Sequence, residues 1–349
     1  MYELPEKIRD FKPYDPITGD YAIRLDANES FADINDYIEG GAAAIASRIN
    51  FNRYPDAAAG RLCEAFASCF GVDAGCVTTG NGSDELISII TSAMLSKGET
   101  VLTCEPDFSM YRFYPAVYEL KVESVPKNER LTVDADALIA RAEELNAGMV
   151  IFSNPCNPTS TGITREEVLR IIGGVRGLVV VDEAYMDFWD QSVLDVAAEH
   201  DNVIVLKTCS KALGCAAMRI GFAVASRRIT DALRAVKSPY NTDAFSQELG
   251  AALLSIPGIV EKLSGIMVRS RETLYGGICS LKERKHDIME IYPSRTNFVF
   301  MRLRDSRGVF RKLLDRSIAV RCFDGYLRIT AGTDEENAAV ISALEDILE

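Results

Sequence analysis

Three apolar segments of this chain end in polar residues of the types that catalysis uses. The segments are MVIFSN at 149–154, VVVDEAY at 179–185 and NVIVLKT at 202–208. The polar residues at or just beyond their ends are Asn157, Asp182, Tyr185, Ser210 and Lys211. Because parallel strands present their carboxyl ends at one edge of an open α/β sheet, where ligands bind, we expect these side chains to converge. The sequence therefore predicts one polar site at that edge.

The lysine is the residue whose surroundings point to a reaction. Lys211 follows a buried strand and precedes the small residues ALGCAAM at 212–218, so burial is expected to lower the pKa of its amine. A lysine with a lowered pKa suits Schiff-base formation with a carbonyl group. A surface lysine in a loop is the commoner case, so the assignment rests on the neighbouring residues.

Those neighbours supply an anion site and a buried carboxylate. Arg219 stands eight positions after Lys211, where it could hold a phosphate together with Ser210. The segment TGNGSDEL at 79–86 places two glycines and a serine before a helix, whose free N–H groups receive anions. Asp182 at the end of a buried strand is costly unless a cation pairs with it. A phosphorylated, cationic cofactor would satisfy both demands.

Composition argues against several other classes of protein. The 349 residues carry a net charge of −13, whereas nucleic-acid binding needs a basic face. No run of 18 apolar residues indicates a membrane span. The two histidines, His200 and His286, lie among charged residues, which weakens mechanisms based on a catalytic or zinc-binding histidine. We interpret the nine cysteines, which form no CxxC pair, as small apolar residues in a reducing cytosol and not as metal ligands.

The order of elements predicts an α/β fold with two domains. Apolar strands alternate with helices through the middle of the chain, which indicates a mainly parallel sheet buried on both faces. Two helices are predicted to begin with capping boxes, at Thr164 with Glu167 and at Thr333 with Glu336. After Pro239 the pattern changes to a smaller α+β arrangement. We predict a large domain over 31–240 and a small one formed by 1–30 together with 241–349.

Ordered motifs along nearly the whole chain resemble one family, the fold-type-I pyridoxal-5′-phosphate (PLP) aminotransferases. Any one motif alone would be weak evidence, but their number and order are specific. The motifs include LDANES at 25–30, FNRYPD at 51–56, TGNGSDELI at 79–87, PDFSMYRFY at 106–114, SNPCNPT at 153–159, VVVDEAYMDF at 179–188, CSKALGCAAMRIGF at 209–222 and LRITAGT at 327–333.

The resemblance implies a cofactor role for eleven residues. Lys211 carries PLP and moves a proton at the substrate Cα, Asp182 keeps the pyridine nitrogen protonated, and Tyr185 bonds the ring hydroxyl. The remaining positions bond the ring hydroxyl, stack on the ring or receive the phosphate, and they are Asn157, Phe108, Gly82, Ser83, Asp84, Ser210, Arg219 and Tyr54. Of these, Tyr54 is expected to reach in from a second subunit, which implies a homodimer with composite sites.

The same resemblance implies a substrate side and leaves the reaction partly open. Arg328 forks onto a carboxylate, with Asn157 beside it, and Tyr14 and Arg321 line the end where a relative grips a phosphate. The favoured reaction is transamination between an amino donor and a 2-oxo acid. The alternatives are a transaminase for aromatic or other amino acids and a lyase that decarboxylates a phosphorylated amino acid. A non-catalytic PLP-binding protein would be expected to have lost some of these residues.

Three residues depart from the family pattern. Cys156 and Ser160 replace Asn and Gly in the segment NPCNPTSTG at 154–162, but Asn157 is retained, so we expect cofactor binding to persist. Asp324 lies in the short segment between the two arginines, where an acidic residue does not favour a phosphate-bearing substrate.

Overall fold

A computed structural model describes residues 2–9, 11–13 and 16–349 of the chain. Within that part of the chain the strands form two sheets, one of seven strands and one of five. The strands are β1 Ile23–Leu25, β2 Val77–Asn81, β3 Thr100–Glu105, β4 Lys121–Pro126, β5 Met149–Ser153, β6 Leu178–Asp182, β7 Val203–Thr208, β8 Ile220–Ala225, β9 Ile288–Ile291, β10 Phe298–Leu303, β11 Ile318–Phe323 and β12 Tyr326–Thr330.

Helices separate most of these strands. The α-helices are α1 Glu6–Arg9, α2 Gly41–Ala46, α3 Gly60–Phe70, α4 Gly82–Ala93, α5 Met110–Val117, α6 Ala135–Glu144, α7 Arg165–Gly174, α8 Arg227–Val236, α9 Ala244–Leu254, α10 Ile259–Lys282, α11 Ser306–Asp315 and α12 Asp334–Ile347. Both predicted capping boxes are present, at the start of α7 and of α12. In the described residues no single helix is long and apolar enough to cross a membrane; only α9 and α10 taken together, bent by 86°, have the length and composition.

The seven-stranded sheet confirms the prediction of a mainly parallel sheet. Its order is β2-β8-β7-β6-β5-β3-β4, and β3 to β7 run parallel, whereas β8 is antiparallel to both of its neighbours. Every residue of β5, β7 and β8 is buried, because helices cover both faces. The carboxyl ends of β5, β6 and β7 therefore lie side by side, each followed by polar residues.

The five-stranded sheet joins the two ends of the chain. Its order is β1-β11-β12-β10-β9, with β1 parallel to β11 and the other pairs antiparallel. The pairing of β1 carries residues 26–30 towards the large sheet. Helix α9, by contrast, places Leu249 and Leu253 in the hydrophobic core of the large sheet. The boundary between domains at 240 stays a prediction.

A buried ion pair lies beneath the large sheet. Lys207 on β7 donates to Asp187, which follows β6, and the two side chains are only 4% and 5% exposed. The Lys207 ammonium also lies 5.0 Å from the ring centre of Phe70 on α3. Removing one partner of a buried pair leaves an uncompensated charge.

We expect Lys207→Met to lower the free energy of unfolding by roughly 3–5 kcal/mol, because Asp187 would stay buried without its partner. Urea denaturation at a fixed protein concentration measures the loss. The matched control is Arg141→Met, which removes a surface cation paired with Glu123 and Glu144 and should leave the midpoint nearly unchanged. Equal effects of the two substitutions would contradict this account.

Candidate active site

A cavity of 170 Å³ opens where the carboxyl ends of β5, β6 and β7 meet. Its walls bring together the polar residues that the strand pattern predicted, together with residues from the start of α4 and from the segment before β8. The residues that line it are Ser83, Asp84, Phe108, Tyr111, Ser153, Asn157, Asp182, Ala184, Tyr185, Thr208, Ser210, Lys211 and Arg219. The cavity thus has an amine, a buried carboxylate and a cationic end.

Lys211 lies on the wall of this cavity with a half-buried side chain. Its Nζ donates to the carbonyl oxygen of Ala27 at 3.1 Å and lies 5.8 Å from the ring centre of Tyr185. Loss of hydration, and after it the positive charge of Arg328, lower the pKa of the amine to about 8. The pKa of this amine is thus lowered in the direction that the sequence predicted, and about one Lys211 in ten is neutral at pH 7.

Asp182 is the buried carboxylate and is only 4% exposed. Its Oδ2 accepts from the Tyr111 hydroxyl at 2.7 Å and its Oδ1 from the Ala184 amide at 3.0 Å. Burial raises its pKa to about 6, although both hydrogen bonds favour the ionised form. Glu183, its neighbour, points to the other side and bonds Ser192 and the Val193 amide. The two carboxylates are thus separated, because neighbouring residues of a strand point to opposite faces.

The cationic end is built around the start of α4. The Arg219 guanidinium donates to Ser210 Oγ at 3.3 Å, beside Gly82, whose φ is 79°. A Cβ on Gly82 would lie 2.6 Å from an Arg219 nitrogen, and one on Gly221 would lie 2.3 Å from the Ser83 amide nitrogen. Only glycine fits at either position, which keeps the N–H groups of the helix start and the guanidinium close together. This arrangement is suited to a phosphate.

A second, larger cavity of 600 Å³ adjoins the first and shares Phe108, Asn157, Tyr185 and Lys211 with it. Arg321 and Arg328 both line this cavity, because they are directly paired across the β11–β12 hairpin and therefore lie on the same face. Arg328 donates to Asn157 Oδ1 and, at 2.5 Å, to the carbonyl of Asp26.

Sequence reasoning missed the functional contacts of residues 26–28, although it singled out the motif that contains them. Asp26 and Ala27 offer their carbonyls to Arg328 and Lys211, and Asn28 Nδ2 donates to the Tyr185 hydroxyl at 2.8 Å. This strap, defined as residues 26–28, follows β1. The signal that could have revealed it is the pair of polar residues, Asp26 and Asn28, after a strand that belongs to the other sheet.

Tyr111 was missed as well, because an aromatic residue in the segment FSMYRFY is predicted to be part of the hydrophobic core. Its ring is 1% exposed, yet its hydroxyl bonds Asp182, and its ring edge meets Phe108 with centroids 5.6 Å apart. Phe108 itself lines both cavities.

Tyr54 and Asp324, which the sequence analysis placed at or near the site, line neither cavity. Tyr54 is 82% exposed and stacks on Tyr240 with ring centroids 4.6 Å apart, away from both cavities of its own chain. Tyr14 falls outside the described residues. Asp324 lies in the turn of the hairpin, with its side chain 93% exposed and paired with Arg307 at 3.4 Å. It does not line the substrate cavity, so the expectation that it disfavours a phosphate there is wrong.

Comparison with known proteins agrees with this geometry. Residues 22–344 match the family model described as aminotransferase class I and II. The chain belongs to this family. It is 37% identical over 348 residues to the histidinol-phosphate aminotransferase of Clostridium kluyveri, covering 98% of each chain. It is also 37% identical over 344 residues to the enzyme of the same name from Clostridium novyi, covering 97% of this chain and 95% of the relative.

A solved structure shares the whole fold. It is the histidinol-phosphate aminotransferase of Sinorhizobium meliloti in complex with PLP, with a TM-score of 0.87, 22% identity, and coverage of 99% of this chain and 98% of that one. At that identity the likeness concerns the fold, which is the fold-type-I arrangement of PLP aminotransferases. The family is PLP-dependent, and this chain is a PLP-dependent aminotransferase.

The smaller cavity has the features that PLP requires. Asp84 Oδ1 is buried and has no hydrogen-bond partner among the described residues, and burial raises the pKa of this carboxyl. Gly82 and Gly221 hold the anion end open, Lys211 supplies an amine with a lowered pKa, and Asp182 lacks a cation. An aldehyde-bearing, phosphorylated pyridine suits three of these features: its phosphate the open anion end, its aldehyde the Lys211 amine, and its protonated ring nitrogen the Asp182 carboxylate.

We expect the rate at which the apoenzyme takes up PLP to rise about tenfold per pH unit below pH 8 and then level off, because only the neutral amine reacts. With its pKa lowered to about 8, roughly one Lys211 in ten is neutral at pH 7, against about one in 2,500 for an ordinary lysine. Borohydride trapping of brief PLP exposures, followed by peptide mass spectrometry, measures the rate. An uptake rate that keeps rising to pH 10, as labelling of exposed lysines does, would contradict the lowered pKa.

Proposed function

We propose that this enzyme transfers the amino group of L-histidinol phosphate to 2-oxoglutarate, with PLP held in the smaller cavity. The observation that carries the proposal is the pairing of Arg321 with Arg328 on one wall of the larger cavity, next to Lys211. Two guanidinium groups on one face suit a dianionic phosphate, which accepts several charge-assisted hydrogen bonds. The names of the most similar relatives support the same donor.

The residues of the smaller cavity would hold the cofactor. The Ser83 amide at the start of α4, Ser210 and Arg219 would receive its phosphate, and Asp182 would pair with its protonated ring nitrogen. Tyr185 and Asn157 would bond its ring hydroxyl, and Phe108 would cover a face of the ring. When bound, PLP supplies the electron sink that stabilises the charge left on the substrate Cα after proton removal.

Asp182 maintains the electrostatics that this chemistry needs. Burial raises its pKa to about 6, which means that the ionised carboxylate is destabilised where no cation neutralises it. A cationic ring nitrogen would supply the missing charge, and the Tyr111 hydroxyl keeps the carboxylate oriented. The role of Tyr111 is that of a positioning residue.

Lys211 would move the proton at the reacting carbon. Its amine is held by the Ala27 carbonyl, and its pKa near 8 lies close to working pH, where a group can both accept and return a proton. Arg328, 7% exposed and bonded to Asn157, keeps the amine from charging and fixes the anion of the substrate. Burial of these groups excludes bulk water from the reacting atoms.

The two arginines would serve both halves of the reaction. Histidinol phosphate carries its phosphate on the carbon where an amino acid has its carboxylate, so the phosphate extends along the wall from Arg328 to Arg321. In the return half, 2-oxoglutarate offers two carboxylates to the same pair. One pair of cations thus accommodates a single dianionic group or two monoanionic groups.

The test of this proposal is a half-reaction. PLP-loaded protein mixed with histidinol phosphate should lose the absorption band of the bound cofactor aldehyde, and 2-oxoglutarate should restore it. Phenylalanine should change the band far more slowly, and phosphothreonine should release no carbon dioxide. Rapid conversion by phenylalanine would favour an aromatic aminotransferase, and carbon dioxide release from phosphothreonine would favour a lyase.

Matched variants identify the phosphate contact in the same assay. Arg321→Met should raise the KM for histidinol phosphate roughly 10- to 100-fold, the range expected when a hydrogen bond to a charged group is lost. Arg307→Met removes a surface arginine paired with Asp324 and is the control. Lys211→Ala should abolish the spectral change altogether. An unchanged KM in Arg321→Met would show that residues other than Arg321 bind the phosphate.

We further propose that two subunits form composite sites and that the enzyme works in the cytoplasm. The support is the aromatic pair Tyr54 and Tyr240, together with Phe51, which is 79% exposed. Exposed aromatic residues in a group are typical of a protein interface. Free cysteines throughout the described residues agree with a reducing compartment.

Subunit complementation tests the composite site. If Tyr54 serves the partner's cofactor, Tyr54→Ala and Lys211→Ala proteins should each be impaired, yet mixed dimers hold one intact site, and random mixing should restore roughly a quarter of full activity. The control mixture is Lys211→Ala with Asp182→Ala, which damages both sites and should stay inactive. No recovery in the first mixture would show that Tyr54 does not act across an interface.

A further inference from the structure

Asp26 is a buried carboxylate on the wall of the larger cavity that the proposed mechanism does not use. It is 8% exposed and lies on the strap between Arg24 and Arg328. Its Oδ2 accepts from Arg24 at 3.3 Å, whereas its Oδ1 has no hydrogen-bond partner among the described residues. A buried charged group with an unsatisfied oxygen calls for an explanation, because such groups are normally fully bonded.

Arg24 does not fully compensate this carboxylate. Its guanidinium is committed to the backbone, since it donates to the Ile17 carbonyl at 2.8 Å and to the Gly19 carbonyl at 3.2 Å. What remains for Asp26 is one contact and not the bidentate fork that a well-matched pair forms. The carboxylate therefore keeps acceptor capacity on the wall of the substrate cavity.

The larger cavity is lined by charges of both signs. Arg321 and Arg328 lie together on the hairpin and can hold an anion. The backbone carbonyl of Asp26 accepts a hydrogen bond from Arg328. Its side-chain carboxylate accepts instead from Arg24, so it does not neutralise the two hairpin arginines. A substrate that fills the cavity can therefore place an anionic group against the two arginines and a hydrogen-bond donor against the Asp26 carboxylate.

We infer that Asp26 sets the specificity of this site by accepting a hydrogen bond from a ring N–H of the substrate. The inference rests on the proposed function, in which the donor has an imidazole ring on the methylene carbon next to the carbon that bears the amine. An imidazole donates through nitrogen when neutral and carries a positive charge below a pKa of about 6.5. A phenyl ring offers no donor and would leave the carboxylate under-bonded, which is how sites built for a polar group reject an apolar analogue.

Two unreactive ligands that differ only in the ring test this inference without any chemistry at the cofactor. They are 3-(imidazol-4-yl)propyl phosphate and 3-phenylpropyl phosphate, each lacking the amine. Calorimetric titration of the PLP-loaded enzyme at pH 8 should show tighter binding of the imidazole ligand by roughly tenfold or more, the effect of one hydrogen bond to a charged group. The preference should grow on lowering the pH to 6, because the ring becomes cationic.

Variants of Asp26 separate specificity from structure. Asp26→Ala should erase the preference for the imidazole ligand while leaving the phenyl ligand's affinity within about twofold of the wild-type value. Asp26→Asn, which keeps an acceptor oxygen but no charge, should retain part of the preference at pH 8 and lose its growth at pH 6. Asp324→Asn removes an exposed carboxylate outside the cavity and should reproduce the wild-type pattern.

The outcomes distinguish this inference from the proposed function. Equal loss of both ligands in Asp26→Ala, or no ring preference in the wild type, would overturn the role of Asp26 while turnover of histidinol phosphate could still stand. A ring preference that depends on Asp26, found in an enzyme that does not turn over histidinol phosphate, would support the inference and overturn the donor. Failure of both ligands to bind the wild type would overturn both.

Discussion

Withdrawal of charged groups from water is the constraint on which this structure depends. Lys211, Asp182 and Arg328 line the two adjoining cavities. The pKa values of Lys211 and Asp182 are shifted, and Arg328 is bonded to Asn157. The large sheet can place an amine and a carboxylate at its edge only because parallel strands are covered by helices on both faces. The same cover that excludes water raises the pKa of Asp182 and lowers that of Lys211. Reactivity and fold therefore have one physical origin.

The strap makes the two sheets a single site. It follows β1, which pairs with β11 of the small sheet, and its Ala27 carbonyl and Asn28 side chain contact Lys211 and Tyr185 of the large-sheet site. The arginine hairpin belongs to the small sheet as well, so the cavity wall that carries Arg321 and Arg328 comes from one sheet and the wall that carries Lys211 and Asp182 from the other. Neither sheet lines both cavities by itself, which explains why the lining residues are spread from position 16 to position 328.

The parts of this arrangement that follow from short-range patterns could be predicted from the sequence. Buried strands, both capping boxes and the convergence of Asp182 and Lys211 at one edge are consequences of hydrophobic periodicity and of the parallel sheet. The hydroxyl of Tyr111 on Asp182 and the strap contacts could not, because they join segments 71 and 184 residues apart. The reversed direction of β8 was equally hidden, since an apolar strand reads the same in either direction. Asp324 was misjudged because proximity along the chain says nothing about which way a turn residue points.

The hairpin of β11 and β12 turns on only two residues, Asp324 and Gly325, and this brevity has an evolutionary consequence. Side chains alternate between faces, so the insertion or loss of a single residue in one strand reverses the orientation of everything between it and the turn. Such an event near Arg321 would move that arginine to the outer face while Arg328, anchored by Asn157 and the Asp26 carbonyl, would stay in place. A lineage could thereby exchange a doubly charged substrate for a singly charged one in one genetic step, without altering the cofactor site. Changes in the β11–β12 hairpin can thus alter substrate preference while the residues of the smaller cavity stay the same.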